Sequence, residues 1–348
     1  MNYNTRGLFL FLIFLAVSSP IAIWKVASGY VSSDEELFLF SKYGISDTID
    51  LRYFVVSISF RFLYDISQYG IYSLNLIFVF FIVKDIKSFS LKDIRFALSL
   101  SLFFPVSIFY SGLFTRDFLL LILNVWLLIL LFEANRALSL KVLLLVALIF
   151  FLRPTFGAII LFSFIVYPFV RTWFFCLFPF VLVLSLIIIS FNDPLLNGVE
   201  EVVFRYENTQ GRYKGYEGFS FFLIDYHSEI FPLYGFFNTL AFFFPYLIFG
   251  ELDFYGVLMK INGIVFLVFI FRSIVVFFSS LNEDDLVYKV SLFVLSSSVL
   301  FSLIQTEISS ALRVSMSFIP YLIYLCFHSG FTRKSGSYSH SRNSNGLT

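Results

Sequence analysis

The chain reads as an all-α integral membrane protein: about ten transmembrane helices, a large loop on the non-cytoplasmic side, and re-entrant or interfacial helices. Three observations predict this class. Of 348 residues, 59% are hydrophobic and 14% are charged, where an ordinary globular domain has about 45–50% and about 25%. The apolar residues fall in blocks long enough to cross hydrocarbon as helix. Phe and Tyr number 52 and 20, and aromatic rings suit lipid and its interfaces. So little polar surface cannot coat a water-soluble body of this size, and the mean hydropathy of +0.88 agrees.

The remaining bulk properties exclude rather than assign. The net charge is +1 and no basic stripe stands out, so nucleic acid is not an expected partner. Cys176 and Cys326 both lie inside apolar runs, and no Cys/His spacing suggests zinc. Near the N-terminus, Arg6 precedes the apolar run Leu8–Trp24. Ala16, Ser18 and Ser19 imitate a cleavage site, but the run resumes after Pro20, so the reading is an uncleaved first span.

The expected spans are Leu8–Trp24, Tyr69–Val83, Phe96–Leu113, Phe118–Glu133, Leu140–Leu152, Thr155–Val170, Trp173–Phe191, Tyr255–Phe278, Val290–Ile304 and Val314–His328. Lys84, Lys87, Lys92 and Arg95 crowd one connection. Arg136, Lys141, Arg171, Arg272, Lys289 and the tail from Arg333 to Arg342 fall on the same side. By the positive-inside rule that side, with both termini, is cytoplasmic. The largest loop, about 192–255, lies opposite. Phe231–Gly250 is apolar enough to cross, but crossing would put the basic tail outside, so it reads as a hairpin broken near Pro245. Arg52–Asp65 mixes charge with Phe, Val and Ile and reads as a helix lying at the surface. The organisation is thus one polytopic domain over 1–330 and a disordered cytoplasmic tail over 331–348, rich in Ser, Asn and Gly.

Charge near membrane depth is costly and marks candidate sites. The first lies at Ser111–Phe118. Arg116 and Asp117 there either neutralise each other in a tight turn, or Arg116 faces an anionic substrate beside its neighbouring carboxylate. The second is Arg153. Pro154 disfavours helical geometry before it, so Arg153 sits at a break, either snorkelling or building an anion site. The third is the polar patch from Gln305 to Arg313, with Glu307. Asp34 and Glu35 follow the first span. In the large loop, Arg205 and Arg212 share a face if that segment is helical, and His227 is able to exchange a proton near neutral pH. Arginines gathered on one side suit an anionic head group, because guanidinium stays charged and grips phosphate through a planar fork. Aromatic and carboxylate neighbours suit a sugar.

The order of these features resembles the polytopic GT-C-like glycosyltransferases that use polyprenyl-linked sugars, and among them the O-antigen and capsule repeat-unit polymerases of Gram-negative bacteria. Asp34-Glu35, Ser111 to Asp117, Leu152-Arg153-Pro154, Glu307 to Arg313 and the long late loop carry the resemblance. One departure is that neither Arg205 nor Arg212 is followed eleven residues later by the glycine found in some of these polymerases. The resemblance implies the bacterial inner membrane, a large periplasmic loop, and undecaprenyl-diphosphate-linked oligosaccharide as substrate. It implies no cofactor or metal, because the lipid diphosphate is already an activated leaving group, and it allows a chain-length regulator as partner. In that setting Arg116, Asp117, Arg153, Arg205, Arg212 and Arg313 become substrate-binding candidates. Asp34, Glu35, Glu307 and His227 become candidates for the catalytic base.

Three other functions compete. A glycosyltransferase adding one sugar from a polyprenyl phosphate would alter the repeat rather than the ladder. A flippase or transporter usually shows internal repeats and midplane charge, and no repeat is visible here. A non-catalytic subunit of a polysaccharide assembly machine is the third.

Overall fold

The computed structural model describes residues 3–30, 39, 51–113, 116–133, 139–161, 163, 254–279, 286–287, 289–291, 293–294, 297 and 313–328. Among these all regular structure is helical. The helices are α1 (Tyr3–Ser28), α2 (Leu51–Ile66), α3 (Gly70–Lys84), α4 (Ile94–Ser99, continued by a 3₁₀ turn Leu100–Phe103), α5 (Pro105–Ser111), α6 (Arg116–Glu133), α7 (Leu140–Leu152), α8 (Pro154–Leu161), α9 (Phe254–Ser279) and α10 (Ile319–His328). The stretch Thr5–Ser28 of α1 is long and apolar enough to cross a membrane by itself. Two bent pairs would each add a span if each is one crossing. The expected span Trp173–Phe191, the hairpin Phe231–Gly250, nearly all of the loop 192–255 and the tail 331–348 lie outside the described residues.

Local sequence explains where these helices start and stop. The Asp93 carboxylate caps α4 by accepting from the N–H groups of Arg95 (3.0 Å) and Phe96 (3.2 Å), which satisfies donors a helix start leaves open. Ser139 caps α7, accepting from the Val142 N–H at 3.4 Å. Prolines open α5 and α8, since a first-turn residue needs no N–H partner. The residue before each is pushed out of helical geometry: Phe104 lies at φ −63°, ψ 143° and Arg153 at φ −148°, ψ 91°.

Two expected spans need correction. Phe96–Leu113 is not one straight helix: Ile94–Phe103 and Pro105–Ser111 meet at 71°, because Pro105 interrupts the backbone ladder. Val314–His328 is also divided. Arg313–Met316 forms a helical turn, Ser317 and Phe318 form a turn, and Pro320 stands near the start of α10, where a missing N–H is tolerated. The segment expected to lie flat, Arg52–Asp65, is the helix α2, and Val55–Ile66 meets α3 at 102°.

The buried core is mostly apolar with a few polar side chains inside it, and large apolar side chains also stand on the outer surface. On α1 the buried face carries Phe14, Ser18, Ala22 and Lys25, while Leu8, Phe9, Leu12, Val17, Ile23 and Trp24 are exposed. On α9, Asn262 and Phe266 are buried and Ile261, Ile264, Val268 and Phe271 are exposed. Helices α1 and α3 run antiparallel. The backbone of Gly7 meets Val83 so closely that a Cβ would lie 2.3 Å from its carbonyl oxygen, and Ser18 Oγ and the Tyr72 hydroxyl share a hydrogen bond of 2.8 Å. Asn75 Nδ2 donates to Ser111 O at 2.8 Å, tying α3 to the end of α5. At the other end Arg6 donates to Lys87 O (2.7 Å), and Asp85 and Arg95 approach to 3.6 Å.

The last helix is fastened by polar contacts, one set of them buried. The Tyr321 hydroxyl donates to Asn124 Oδ1 of α6 at 2.5 Å, and Asn124 Nδ2 donates to Leu120 O. Arg272 of α9 donates to Cys326 O at 3.3 Å. Tyr321→Phe removes the donor and leaves a buried amide oxygen, which inside a helical membrane body costs about 1 kcal/mol. The expected outcome is a melting temperature a few degrees lower for purified protein, with normal amounts in the membrane. An unchanged melting curve would mean that this bond contributes nothing to holding α10.

Candidate anion site

Two breaks that are far apart in sequence meet in space. The first is the start of α6, where Arg116 and Asp117 are the opening residues. The second is the junction of α7 and α8 at Arg153. Two backbone bonds bracket that junction: Arg153 N–H donates to Ile149 O (2.8 Å), and Gly157 N–H donates to Arg153 O (3.0 Å). The junction is also tight. A Cβ on Gly157 would stand 2.4 Å from Phe150 Cα, so only glycine lets α8 approach α7 this closely.

At the meeting point Arg153 Nη1 lies 3.5 Å from Asp117 Oδ1. The Asp117 side chain is 0% exposed and that of Arg153 is 13% exposed. Arg116 reaches the same junction, its Nη1 donating to Leu152 O at 3.4 Å. Among the described residues the cluster holds two guanidinium groups and one carboxylate.

Just after the junction in sequence, α8 joins an aromatic cluster. Phe156, on the first turn of α8, packs against Phe293 (5.0 Å between centroids) and Phe318 (5.1 Å). Phe293 in turn packs on Phe318 and on Tyr321. Phe318 follows closely on Arg313, so these rings join α8 to the segment that carries Arg313.

The structure therefore brings together Arg116, Asp117 and Arg153, and the aromatic cluster joins α8 to the segment that carries Arg313. Asp34, Glu35, Arg205, Arg212, His227 and Glu307 lie outside the described residues. Among the described residues no group of His, Cys, Asp and Glu could hold a metal ion. Sequence reasoning placed Asp117 beside Arg116, whereas its ion-pair partner is Arg153. A signal was present: neighbours in a helix do not face each other, so a buried Asp117 needed a partner from another element. Gly157 was also missed, although a glycine so soon after a proline break is a sign of close backbone approach.

Searches with this sequence found no matching protein-family model, no similar curated protein and no similar solved structure.

Proposed function

We propose that the chain is a multi-pass protein of the bacterial inner membrane, of about ten spans, that polymerises lipid-linked oligosaccharide repeat units at the periplasmic face. The meeting of Arg116 with the Arg153–Asp117 pair at the α7–α8 junction carries this reading. Bilayer placement is supported by the many large apolar side chains that face outward from a core that is itself mostly apolar, with Ser18, Asn75, Asp117, Asn124 and Asn262 buried inside it. Depth matters too. Helix α7 has 13 residues, about 20 Å of rise at about 1.5 Å each, against about 30 Å of hydrocarbon. Counted from its capped start beside Lys141, Arg153 stops about 10 Å short of the far boundary. A head group delivered by a lipid from within the bilayer reaches such a site.

The chemistry is glycan transfer. The bond from the anomeric carbon of the growing chain to the undecaprenyl diphosphate breaks, and the electron pair leaves with the diphosphate. A hydroxyl at the non-reducing end of the incoming lipid-linked repeat unit forms the new bond, and its proton passes to a base. Arg153, Arg116 and Arg313 offset the charge that develops on the departing diphosphate, a use of preorganised charge. Asp34, Glu35, Glu307 and His227 are the candidates for the base, with Arg205 and Arg212 as further contacts from the loop. A chain-length regulator is the expected protein partner.

The 71° break between α4 and α5 favours a second reading, because transporters build sites from discontinuous helices. Deleting the gene separates the readings. A polymerase deletion leaves single repeat units on the lipid acceptor and no ladder. A flippase deletion leaves no repeat units outside. Loss of a single-sugar transferase changes the size of the repeat. Either of the last two results overturns the proposal.

A further inference from the structure

We propose that α2 is an in-plane anchor in the outer leaflet, with one apolar face pressed on the bundle beside the α7–α8 junction and the other sunk among lipid acyl chains. The inference rests on the bilayer placement proposed above and deepens it by naming a face and what covers it. The sequence of α2 makes the two faces. Val55, Ile58, Phe62 and Ile66 recur at spacings of three, four and four, so they line one side of the helix. All four are exposed, Phe62 and Ile66 to 64% and 66%. Val56 and Phe60 stand on another side and are buried. They cluster with Ile71 of α3, and Leu63, Tyr64, Leu74 and the α7 residues Phe151 and Leu152 pack against that cluster. The protein covers one apolar face of α2 and leaves the other bare. Asp65 is exposed beside the bare face, as suits a boundary between lipid and water.

Direction decides between water and lipid. Val55–Ile66 meets Gly70–Lys84 at 102°. Helix α3 lies antiparallel to α1, with Val83 against Gly7 and Tyr72 bonded to Ser18, and α1 is long and apolar enough to cross. With α1 and α3 through the bilayer, α2 lies across them, in the membrane plane. The Lys84 end of α3 leads into the basic connection of Lys87, Lys92 and Arg95, so α2 lies at the opposite, outer boundary. An interfacial helix there sinks its apolar face about 5–10 Å into the headgroup and acyl region. That is the depth of its neighbour, since α7 stops about 10 Å short of the same boundary. Bare apolar surface also adjoins the contact: Leu148 and Phe150 of α7 are exposed, next to Phe151 and Leu152. Facing water, such a continuous patch would be an association site; facing acyl chains, it is the ordinary outside of a membrane protein. Because Phe151 and Leu152 directly precede Arg153, a helix held at this boundary also holds the break at its depth.

The test is a nitroxide scan of the whole chain, with Cys176→Ala and Cys326→Ala, in vesicles of phosphatidylethanolamine and phosphatidylglycerol. Single cysteines replace each residue from Val55 to Ile66, and Leu12 and Ile264 serve as controls because both are exposed on crossing helices. The expected result is that oxygen meets the labels at 55, 58, 62 and 66 severalfold more often than a water-soluble nickel complex does, with the order reversed at 65. Nickel reaching 62 and 66 as freely as 65 overturns the proposal, because the face is then in water. Exclusion of both reagents there also overturns it, because another segment or a second copy then covers the face. If the controls read as lipid while α2 does not, this inference falls and the bilayer placement stands; if the controls also read as water, both fall. Should the cysteine-free chain fail to accumulate, Phe62→Trp in the otherwise native chain gives a second measurement. Its added fluorescence should be quenched by lipids brominated on the acyl chains, and unquenched added fluorescence overturns the proposal.

Discussion

Arg153→Ala combined with Asp117→Asn is expected to reach the membrane in normal amounts and to make no long glycan chains. The second substitution is needed because of the buried pair. Arg153→Ala alone strips a fully buried carboxylate of its counter-charge, and breaking one side of a buried pair costs about 3–5 kcal/mol. That is enough to remove a marginal protein from the membrane for reasons unrelated to catalysis. Neutralising Asp117 at the same time removes the stranded charge, since a neutral amide costs far less to bury. What remains is the loss of the guanidinium. Removing one preorganised group that stabilises developing charge lowers turnover by about 10²–10³-fold, which in a chain-length assay is the loss of the ladder. Arg153→Lys is the companion variant: it keeps a charge for Asp117 and so should accumulate normally. It loses the planar fork and should give only short chains. Membrane immunoblots and glycan gels read both effects. A normal ladder in the double variant takes Arg153 out of the mechanism.

The local pattern was legible at some of the places where capping and proline chemistry act over a few residues. Leu140–Leu152 was bounded correctly because Ser139 caps it and Pro154 ends it. The break at Arg153 followed from the same proline. The course of Phe96–Leu113 was misread although Pro105 lies in it, because an unbroken apolar run hides a bend: periodicity reports which residues are greasy and not where the axis turns. The site was half legible. Arg116, Asp117, Arg153 and Arg313 announced themselves as charges between apolar runs. Their pairing did not, because Asp117 and Arg153 are 36 positions apart and no local rule connects them. The Tyr321–Asn124 bond, which spans 197 positions, was hidden for the same reason. Helix type is a property of neighbours in sequence, while charge pairing in a bundle is a property of topology.

Gly157→Ala is expected to damage both stability and polymerisation, although Gly157 carries no chemistry. The added Cβ would lie 2.4 Å from Phe150 Cα, 2.6 Å from Phe150 Cβ and 2.7 Å from Phe150 N. Two of these atoms are backbone and cannot rotate away, so α8 must move off α7. Overpacking of this kind costs about 1–3 kcal/mol, and more where relaxation is blocked. The move is transmitted directly to Arg153, because Gly157 N–H is bonded to Arg153 O. A displacement of about 1 Å at a positioned group can lower turnover by about 10²-fold. Gly29→Ala is the control. Gly29 has a positive φ of 65°, and an added methyl there would meet nothing within 4 Å. It therefore carries only the left-handed backbone penalty of about 1–2 kcal/mol at an open helix end. Thermal melting of the purified proteins should fall clearly for Gly157→Ala and less for Gly29→Ala, and the ladder should shorten only in the first. If Gly157→Ala melts and polymerises like the wild type, the close approach of α7 and α8 is not what holds Arg153 against Asp117.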